Sequence, residues 1–306
     1  MADTTAIMPL AEAKPPLLSN LMGRFRSAAV RHLSDARYIG LAYRREFGKF
    51  PDLKQPVAFN EKICRRRIMP NADFTALSDR VQARAHVGRK IGKQFLPECY
   101  LICKVLDREQ YHALPHRFLM KASHGSNAEL CVEDKSDYPV NLLNLLGQKW
   151  LATDFHLFER IRYYQKIDPQ LIFEQLPQES MDEPAQEYRF YCFHGNGAGP
   201  RIYIEAVHRG ATGSFHDYYD TDWQSIEVIE SRFTSGIHRQ RPAMLDDALE
   251  AAAGLSEGFG FARIDFYIGE NQIRFKDISF TPGEGMMHFK TPAHDRAWGK
   301  LFEDAV

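Results

Sequence analysis

The stretch FARIDFYIGENQIRFKDISF, residues 261–280, limits the possible folds more than any other part of the chain. Two runs rich in aromatic and β-branched residues flank the turn-forming Gly269-Glu270-Asn271, a pattern that specifies a β-hairpin. Each run also carries one acid, Asp265 and Asp277. A carboxylate in a core strand is costly unless something pairs with it. A three-residue turn over 269–271 sets Asp265 opposite Phe275 and Asp277 opposite Arg263, so that Arg263, Asp265, Asp277 and Ser279 share a face. A two- or four-residue turn would turn one strand over and separate the acids. On the first register two readings stand. The acids are hard oxygen ligands for Mg²⁺, completed by substrate phosphates, or Arg263 and one Asp form a buried pair with Asp277 at the hairpin edge.

The hairpin needs neighbours, and the chain supplies other strand-like runs. YLICKVL (100–106), RFLMKAS (117–123), QLIFEQL (170–176), EYRFYCFHG (187–195) and PRIYIEAVHRG (200–210) all read as strands. Helical spacing marks Ser78 to Gly92, capped by Ser78 with Val81, Ala85 and Ile91 inward. It also marks 141–164 around Leu142, Leu145, Leu146 and Trp150, and 243–258 directly before the hairpin. Strands and helices mix without a regular βαβ rhythm, which makes the class α+β. Residues 1–16 read as a loose leader ending in Pro15-Pro16, followed by helical spacing at Leu18, Leu21, Met22, Phe25 and Ala29.

The stretch from Arg24 to Lys49 concentrates positive charge at Arg24, Arg26, Arg31, Arg37, Arg44, Arg45 and Lys49. It is either a basic helix for an anionic membrane surface or a helix packed on its own domain with a solvated basic face. Arg65-Arg66-Arg67 either grips a polyanion or is solvated. The net charge of −1 gives no global field for nucleic acid. Five cysteines, with only Cys99 and Cys103 closely spaced, suggest thiols in a reducing cytosol rather than a zinc site. No signal peptide or membrane span is evident, so the expectation is a soluble cytoplasmic protein.

Two further positions carry chemistry. Lys121 ends a strand and precedes the small, glycine-containing loop Ser123–Asn127. Backbone N–H groups of such a loop cradle phosphate while the lysine adds a point charge; the alternative is a surface lysine. Glu174, in LIFEQL, is either a structural acid or a strand-edge acceptor for an exocyclic amine such as that of adenine. No Ser–His–Asp or Cys–His arrangement stands out. In the loop AVHRGATGSFHDYYDTD (206–222), His208, Arg209 and His216 either meet an anionic sugar or are solvated.

Taken in order, the fragments AFNEKI (58–63), LSDRVQARAHVGRKIG (77–92), LPHRFLMKASHGSN (114–127), IRYYQKIDPQLIFEQL (161–176), EYRFYCFHG and GFARIDFYIGENQIRFKDISFTPGEG (260–285) resemble the ATP-grasp superfamily, and more closely its TupA-like branch of polysaccharide-biosynthesis proteins. The resemblance spans roughly residues 40 to 300. It implies two α+β lobes clasping ATP, over 77–176 and 177–306, behind a leader and basic helical segment over 1–76. By position, Lys121 and Arg80 would contact phosphates, and Ser123, His124, Gly125, Ser126 and Asn127 would close over them. Glu174, Gln175 and Leu176 would read adenine, with Glu187 and Arg189 near the nucleotide. Asp265 and Asp277, with Ser279, would hold Mg²⁺, and Arg263 with Lys121 would stabilise the transferring phosphoryl group.

Three positions depart from the family pattern. Asp277-Ile278-Ser279 stands for Glu-x-Asn, Asp79-Arg80 for Asp-Lys, and Glu187-Tyr188-Arg189 for Asp-Tyr-Lys. Each substitution keeps the sign of charge. The implied activity is a carboxylate–amine ligase that couples an amino acid or amino sugar to a uronic acid of a bacterial capsular polysaccharide or its precursor. A sugar kinase and a non-catalytic nucleotide- or glycan-binding module are the alternatives. The resemblance also implies peripheral contact with the inner membrane or with polysaccharide assembly proteins.

Overall fold

Alternating apolar residues build two antiparallel sheets, and the computed structural model describes them within residues 32–126, 128–177, 185–195, 199–210 and 213–302. The smaller sheet orders its strands β1-β4-β2-β3, from β1 (Cys99–Cys103), β2 (Phe118–Ala122), β3 (Glu129–Val132) and β4 (Leu171–Glu174). The larger orders β10-β9-β5-β6-β7-β8, from β5 (Gln186–Phe193), β6 (Arg201–Gly210), β7 (Gly213–Tyr219), β8 (Ser225–Ile226), β9 (Phe261–Ile268) and β10 (Ile273–Ser279). Every pairing is antiparallel, as the absence of a βαβ rhythm requires. The α+β expectation therefore holds.

The helices are α1 (Asp35–Phe47), α2 (Phe59–Ile68), α3 (Phe74–Ser78), α4 (Arg80–Lys90), α5 (Arg108–Ala113), α6 (Val140–Leu151), α7 (Phe155–Glu159), α8 (Leu245–Ser256) and α9 (Pro292–Leu301). Phe118, Met120, Leu171 and Phe173 of the small sheet pack on Leu143 of α6. Gly147 sets that contact: a Cβ there would lie 2.6 Å from the Leu171 side chain. The helix consequently rests on Leu143 and Gly147, while Leu142 and Leu145, expected inward, are exposed. The helix also stops at Leu151, short of the expected 164, because α7 and a 3-10 segment, Arg162–Lys166, follow.

One face of the large sheet is mostly apolar. Phe190, Ile204, Ile264 and Phe266 pack there on Leu245, Ala248, Ala252 and Leu255 of α8, and on Ala83 and Val87 of α4. Helix α4 thus turns Ala83 and Val87 inward, not Val81 and Ala85. Its cap is Asp79, whose carboxylate accepts from the Val81 amide at 2.9 Å, and Ser78 closes the preceding α3. The other face divides lengthwise. At one end Tyr191, Phe193 and Phe261 meet Phe59 of α2 and Trp298 of α9. Phe59 lies edge-on to Phe261 at 5.1 Å and to Trp298 at 5.6 Å, so truncation to alanine would cost about 3–5 kcal/mol. The remaining end of this face is charged and open.

In the arginine run on α2, Arg66 and Arg67 are buried rather than solvated, and Arg65 is half-exposed. Arg66 is buried among the rings of Phe74, Phe261 and Phe302, and Arg67, also buried, donates to the Glu284 carbonyl at 2.7 Å. Helix α1 packs through Ile39 and Tyr43 and leaves Arg37, Arg44, Arg45 and Lys49 exposed. The helical spacing at 18–29 and the leader lie outside the described residues. AVHRGATGSFHDYYDTD is mostly a hairpin, β6 to β7, not a loop; its Gly210 and Gly213 obscured the alternation. No described helix is long and apolar enough to cross a membrane.

Candidate active site

In the small sheet, register places Leu119 opposite Glu174 and Lys121 opposite Ile172. These residues share the face away from α6, so Lys121 and Glu174 are diagonal neighbours. Both are buried and pair directly with each other. The second oxygen of Glu174 accepts from Arg84 Nη1 at 3.1 Å, and Arg84 Nη2 donates to the Pro97 carbonyl at 2.6 Å. One carboxylate thus serves two cations, which leaves net positive charge at the end of β2. A buried acid needs such partners. Sequence reasoning missed Arg84, although it stands one helical turn after Arg80 and shares its face. Beyond Glu174, the Gln175 amide donates to the Glu98 carbonyl at 2.8 Å, and Leu176 is buried.

The loop after β2 is anchored from below. Ser123 and His124 are buried. The Ser123 amide donates to the Gln170 carbonyl at 2.8 Å, its hydroxyl accepts from the Gln170 amide at 2.9 Å, and its carbonyl accepts from the Arg80 amide at 2.9 Å. With these groups occupied, Ser123 acts as the loop's foot. Gly125 has φ +74°, and a Cβ there would sit 2.3 Å from the Phe155 ring, so only glycine fits. The His124 ring stands edge-on to Phe155 at 5.0 Å. Ser126 Oγ donates to Glu159 Oε1 at 2.5 Å. Burial, reinforced by nearby Glu284, pushes the Glu159 carboxyl up to about 7. Asn127 lies outside the described residues.

The acids of the hairpin face each other, by a different route from the one expected. The connection spans 269–272, with Ile273 opposite Ile268 and Phe275 opposite Phe266. That four-residue loop alone would put Lys276 beside Asp265 and turn Asp277 into the core. A bulge between Phe275 and Asp277 restores the register: Asp277 pairs with Asp265, and Ser279 with Arg263. Two consecutive residues, Lys276 and Asp277, therefore point into the same cleft.

Around the acids is a lattice of charge. Arg263 grips Asp265 through Nε at 2.8 Å and Nη2 at 2.7 Å, and Arg189 Nε lies 4.0 Å from the same carboxylate. Burial pushes the Asp265 carboxyl up, against the pull of Arg263 and Arg189. Arg189 donates to Glu187 at 2.7 Å and to Glu205 at 2.9 Å. The second Glu187 oxygen accepts from Lys276 at 2.7 Å, and Lys276 also lies 3.7 Å from Glu129 of the small sheet. Arg80 closes the cleft, with Nη1 donating to the Ala122 carbonyl at 2.8 Å and Nη2 to Asp277 Oδ2 at 2.9 Å. Lys121, Glu174, Arg80, Glu187, Arg189, Arg263, Asp265 and Asp277 are thus brought to one cleft. Glu205, Lys276, Glu129 and Glu159 join them without having been foreseen.

Could this end of the hairpin hold a divalent cation? Asp265 and Asp277 project from adjacent strands at one register position. Each carboxylate oxygen keeps lone pairs beyond those engaged by arginine. Among the described residues no cluster of three or more His, Cys, Asp or Glu forms a complete protein cage. Two carboxylates are the donor set for Mg²⁺ that also binds phosphate oxygens, so the residues fit.

The family model for TupA-like ATP-grasp proteins matches residues 61–303. No protein of curated function matches the chain. Among solved structures, the chain is similar to D-alanine–D-alanine ligase from Bacillus anthracis complexed with ATP, at 12% identity over 68% of this chain and 55% of that one, with a TM-score of 0.39. It is also similar to D-alanine–D-alanine ligase from Helicobacter pylori, at 10% identity over 76% and 60%, with a TM-score of 0.41. N5-carboxyaminoimidazole ribonucleotide synthetase from Thermus thermophilus gives 12% identity over 72% and 52%, with a TM-score of 0.38. The chain thus spans little more than half the length of each of these three structures. The family match covers both sheets and every residue of the cleft just described, and by it the chain belongs to the TupA-like ATP-grasp family.

Proposed function

We propose that this chain is an ATP- and Mg²⁺-dependent carboxylate–amine ligase. Its substrates are a uronic-acid carboxylate of a bacterial surface polysaccharide, or of its precursor, and the amine of an amino acid or amino sugar. The observation that carries this reading is the opposed pair Asp265 and Asp277, bound by Arg263 and Arg80, with Arg80 reaching the strand that carries Lys121. Mg²⁺, held by Asp265 and Asp277 with Ser279 beside them, would neutralise the β- and γ-phosphates of the nucleotide.

The chain's own groups do the rest by position and charge. Lys121 and Arg80 bind phosphate oxygens, and the loop of Ser123 to Ser126 covers them. The backbone at Gln175 and Leu176 borders the base. Arg263 and Arg189 stabilise negative charge on the transferring phosphoryl group and on the acyl phosphate it forms with the substrate carboxylate. An amine then displaces phosphate, so no side-chain nucleophile is needed. The enzyme acts in the cytoplasm, and the exposed Arg37, Arg44, Arg45 and Lys49 form the surface for a membrane or an assembly partner.

A screen of uronic acids against amines tests the reading. ADP release should require both substrates, and hydroxylamine should trap an acyl hydroxamate. Phosphate retained on the sugar would identify a kinase, and no turnover with any pair a binding module. Asp277→Asn, at the less buried acid, should lower ADP release about 10²-fold or more with melting within a few degrees of the parent. Unchanged turnover would sink the metal assignment.

A further inference from the structure

Next to the arginines of the cleft stands a carboxylate–histidine dyad, Glu205 and His216, to which the reading above gives no role. Glu205 lies on β6, in the middle of the large sheet, and is 1% exposed. Its Oε1 accepts from His216 Nδ1 at 2.6 Å and from Arg189 Nη1 at 2.9 Å, and its Oε2 accepts from the Tyr191 hydroxyl at 2.6 Å. His216 comes from β7, two residues along the ladder and on the same face, opposite Val207. Burial alone would raise the Glu205 carboxyl, but the charge of Arg189 and the hydrogen bond from His216 hold it down at about 2. It is therefore an ionised, acceptor-only group at neutral pH. In the neutral imidazole, an acceptor at Nδ1 fixes the proton on that nitrogen and leaves the lone pair on Nε2. Nε2 bonds to no described residue, and the His216 side chain is 26% exposed.

We propose that His216 is the general base that takes the proton from the acceptor amine, positioned by Glu205. This rests on the ligase reading above. One register position runs Asp277, Asp265, Arg189, Glu205 across β10, β9, β5 and β6, with the His216 strand next. Three strand steps of about 4.8 Å separate the strand of Asp265 from that of His216, or roughly 14 Å. That gap takes, in order, a phosphate at the acids, an acyl carbon at Arg263 and Arg189, and an amine nitrogen within reach of Nε2. An ammonium has no lone pair to attack with. His216 accepts one proton from it, and the neutral amine then attacks the acyl carbon. The C–N bond forms, and the C–O bond to phosphate breaks with its electron pair leaving on phosphate. The leaving phosphate takes the second amine proton, and His216 later gives the first to solvent.

Hydroxylamine separates this role from a structural one, because it is already uncharged at neutral pH and needs no base. Glucuronate, galacturonate and mannuronate would each be offered to the parent and to His216→Gln, with hydroxylamine or with a mixture of amino acids and glucosamine. The variant should form hydroxamate within about twofold of the parent, yet form amide about 10²–10³-fold more slowly at neutral pH. Raising the pH toward the amine's own pKa should shrink that deficit about tenfold per unit. Equal loss of both products, or loss of neither, overturns the assignment while leaving the ligase reading intact. A parent that forms no hydroxamate with any of the acids fails the ligase reading itself, and the assignment falls with it.

Discussion

Two glutamates of this cleft, Glu205 buried and Glu159 half-buried, respond to pH with opposite sign, and the difference lies in their neighbours. Glu205 sits against Arg189 and His216 and is held at about 2 in spite of its burial. The stability it contributes is complete above its ordinary value of 4.5 and is lost as pH falls through 2. Among the described residues Glu159 has only Ser126 as a hydrogen-bond donor to its carboxylate, and it lies near another acid, Glu284, so burial wins and its carboxyl stands at about 7. The unfolded chain ionises there at 4.5 while the folded chain keeps the proton to about 7. Stability is therefore highest below 4.5 and declines as pH rises to about 7. The full difference corresponds to about 3 kcal/mol, and partial exposure reduces it to about 1–2 kcal/mol. Glu159→Gln should remove this decline, gaining about 1–2 kcal/mol on the parent between pH 5 and pH 8 in urea melts. Parallel curves for the two proteins would refute it. Neither glutamate was legible in sequence. Glu159 ends a five-residue helix with no periodic pattern around it, and His216, which pairs with Glu205, was hidden in a glycine-flanked stretch that reads as loop.

At the scale of elements, the bulge in β10 decides which side chain meets Asp265. Deleting Lys276 or deleting Asp277 heals the ladder in the same way, because either change removes the extra residue. The consequences differ. Without Lys276, Asp277 still stands opposite Asp265, and the links to Glu187, Glu129 and the Tyr267 ring are lost. Without Asp277, Lys276 takes its place and puts an ammonium where a second carboxylate belongs. Both proteins should fold, as circular dichroism and melting would show. Only the second should lose Mg²⁺-dependent nucleotide binding, by about 10²-fold or more. Equal loss in both would refute the register reading. The hairpin itself was plain in sequence, since aromatic and β-branched alternation survives in both strands. The bulge was not, because a turn of three residues and a turn of four with a bulge leave the acids on the same face. Helix phases misled for a related reason: on α6, Gly147 draws the helix onto Leu171 and overrides the leucine count.

Across the whole molecule, the two sheets are joined by charge. Arg80 ties Ala122 of the small sheet to Asp277 of the large one, and Lys276 reaches both Glu187 and Glu129. Six cations, Lys121, Arg80, Arg84, Arg189, Arg263 and Lys276, stand against six carboxylates, Glu129, Glu174, Glu187, Glu205, Asp265 and Asp277. Basic residues alone would suggest a site ready for a triphosphate, but the acids cancel them. A nucleotide entering this balanced cleft brings several uncompensated negative charges into a desolvated space, where each costs far more than in water. A divalent cation resolves the imbalance, and it does so at the two acids that would otherwise repel the phosphates. ATP should therefore bind at least about tenfold more weakly, by about 1.4 kcal/mol or more, when EDTA removes Mg²⁺. In Asp277→Asn the penalty for removing the metal should shrink, since one repelling carboxylate is gone. Titration calorimetry of both proteins with and without Mg²⁺ decides the matter. Equal affinity in all four titrations would mean that the cations of the cleft already suffice and that the acids serve only to hold the arginines.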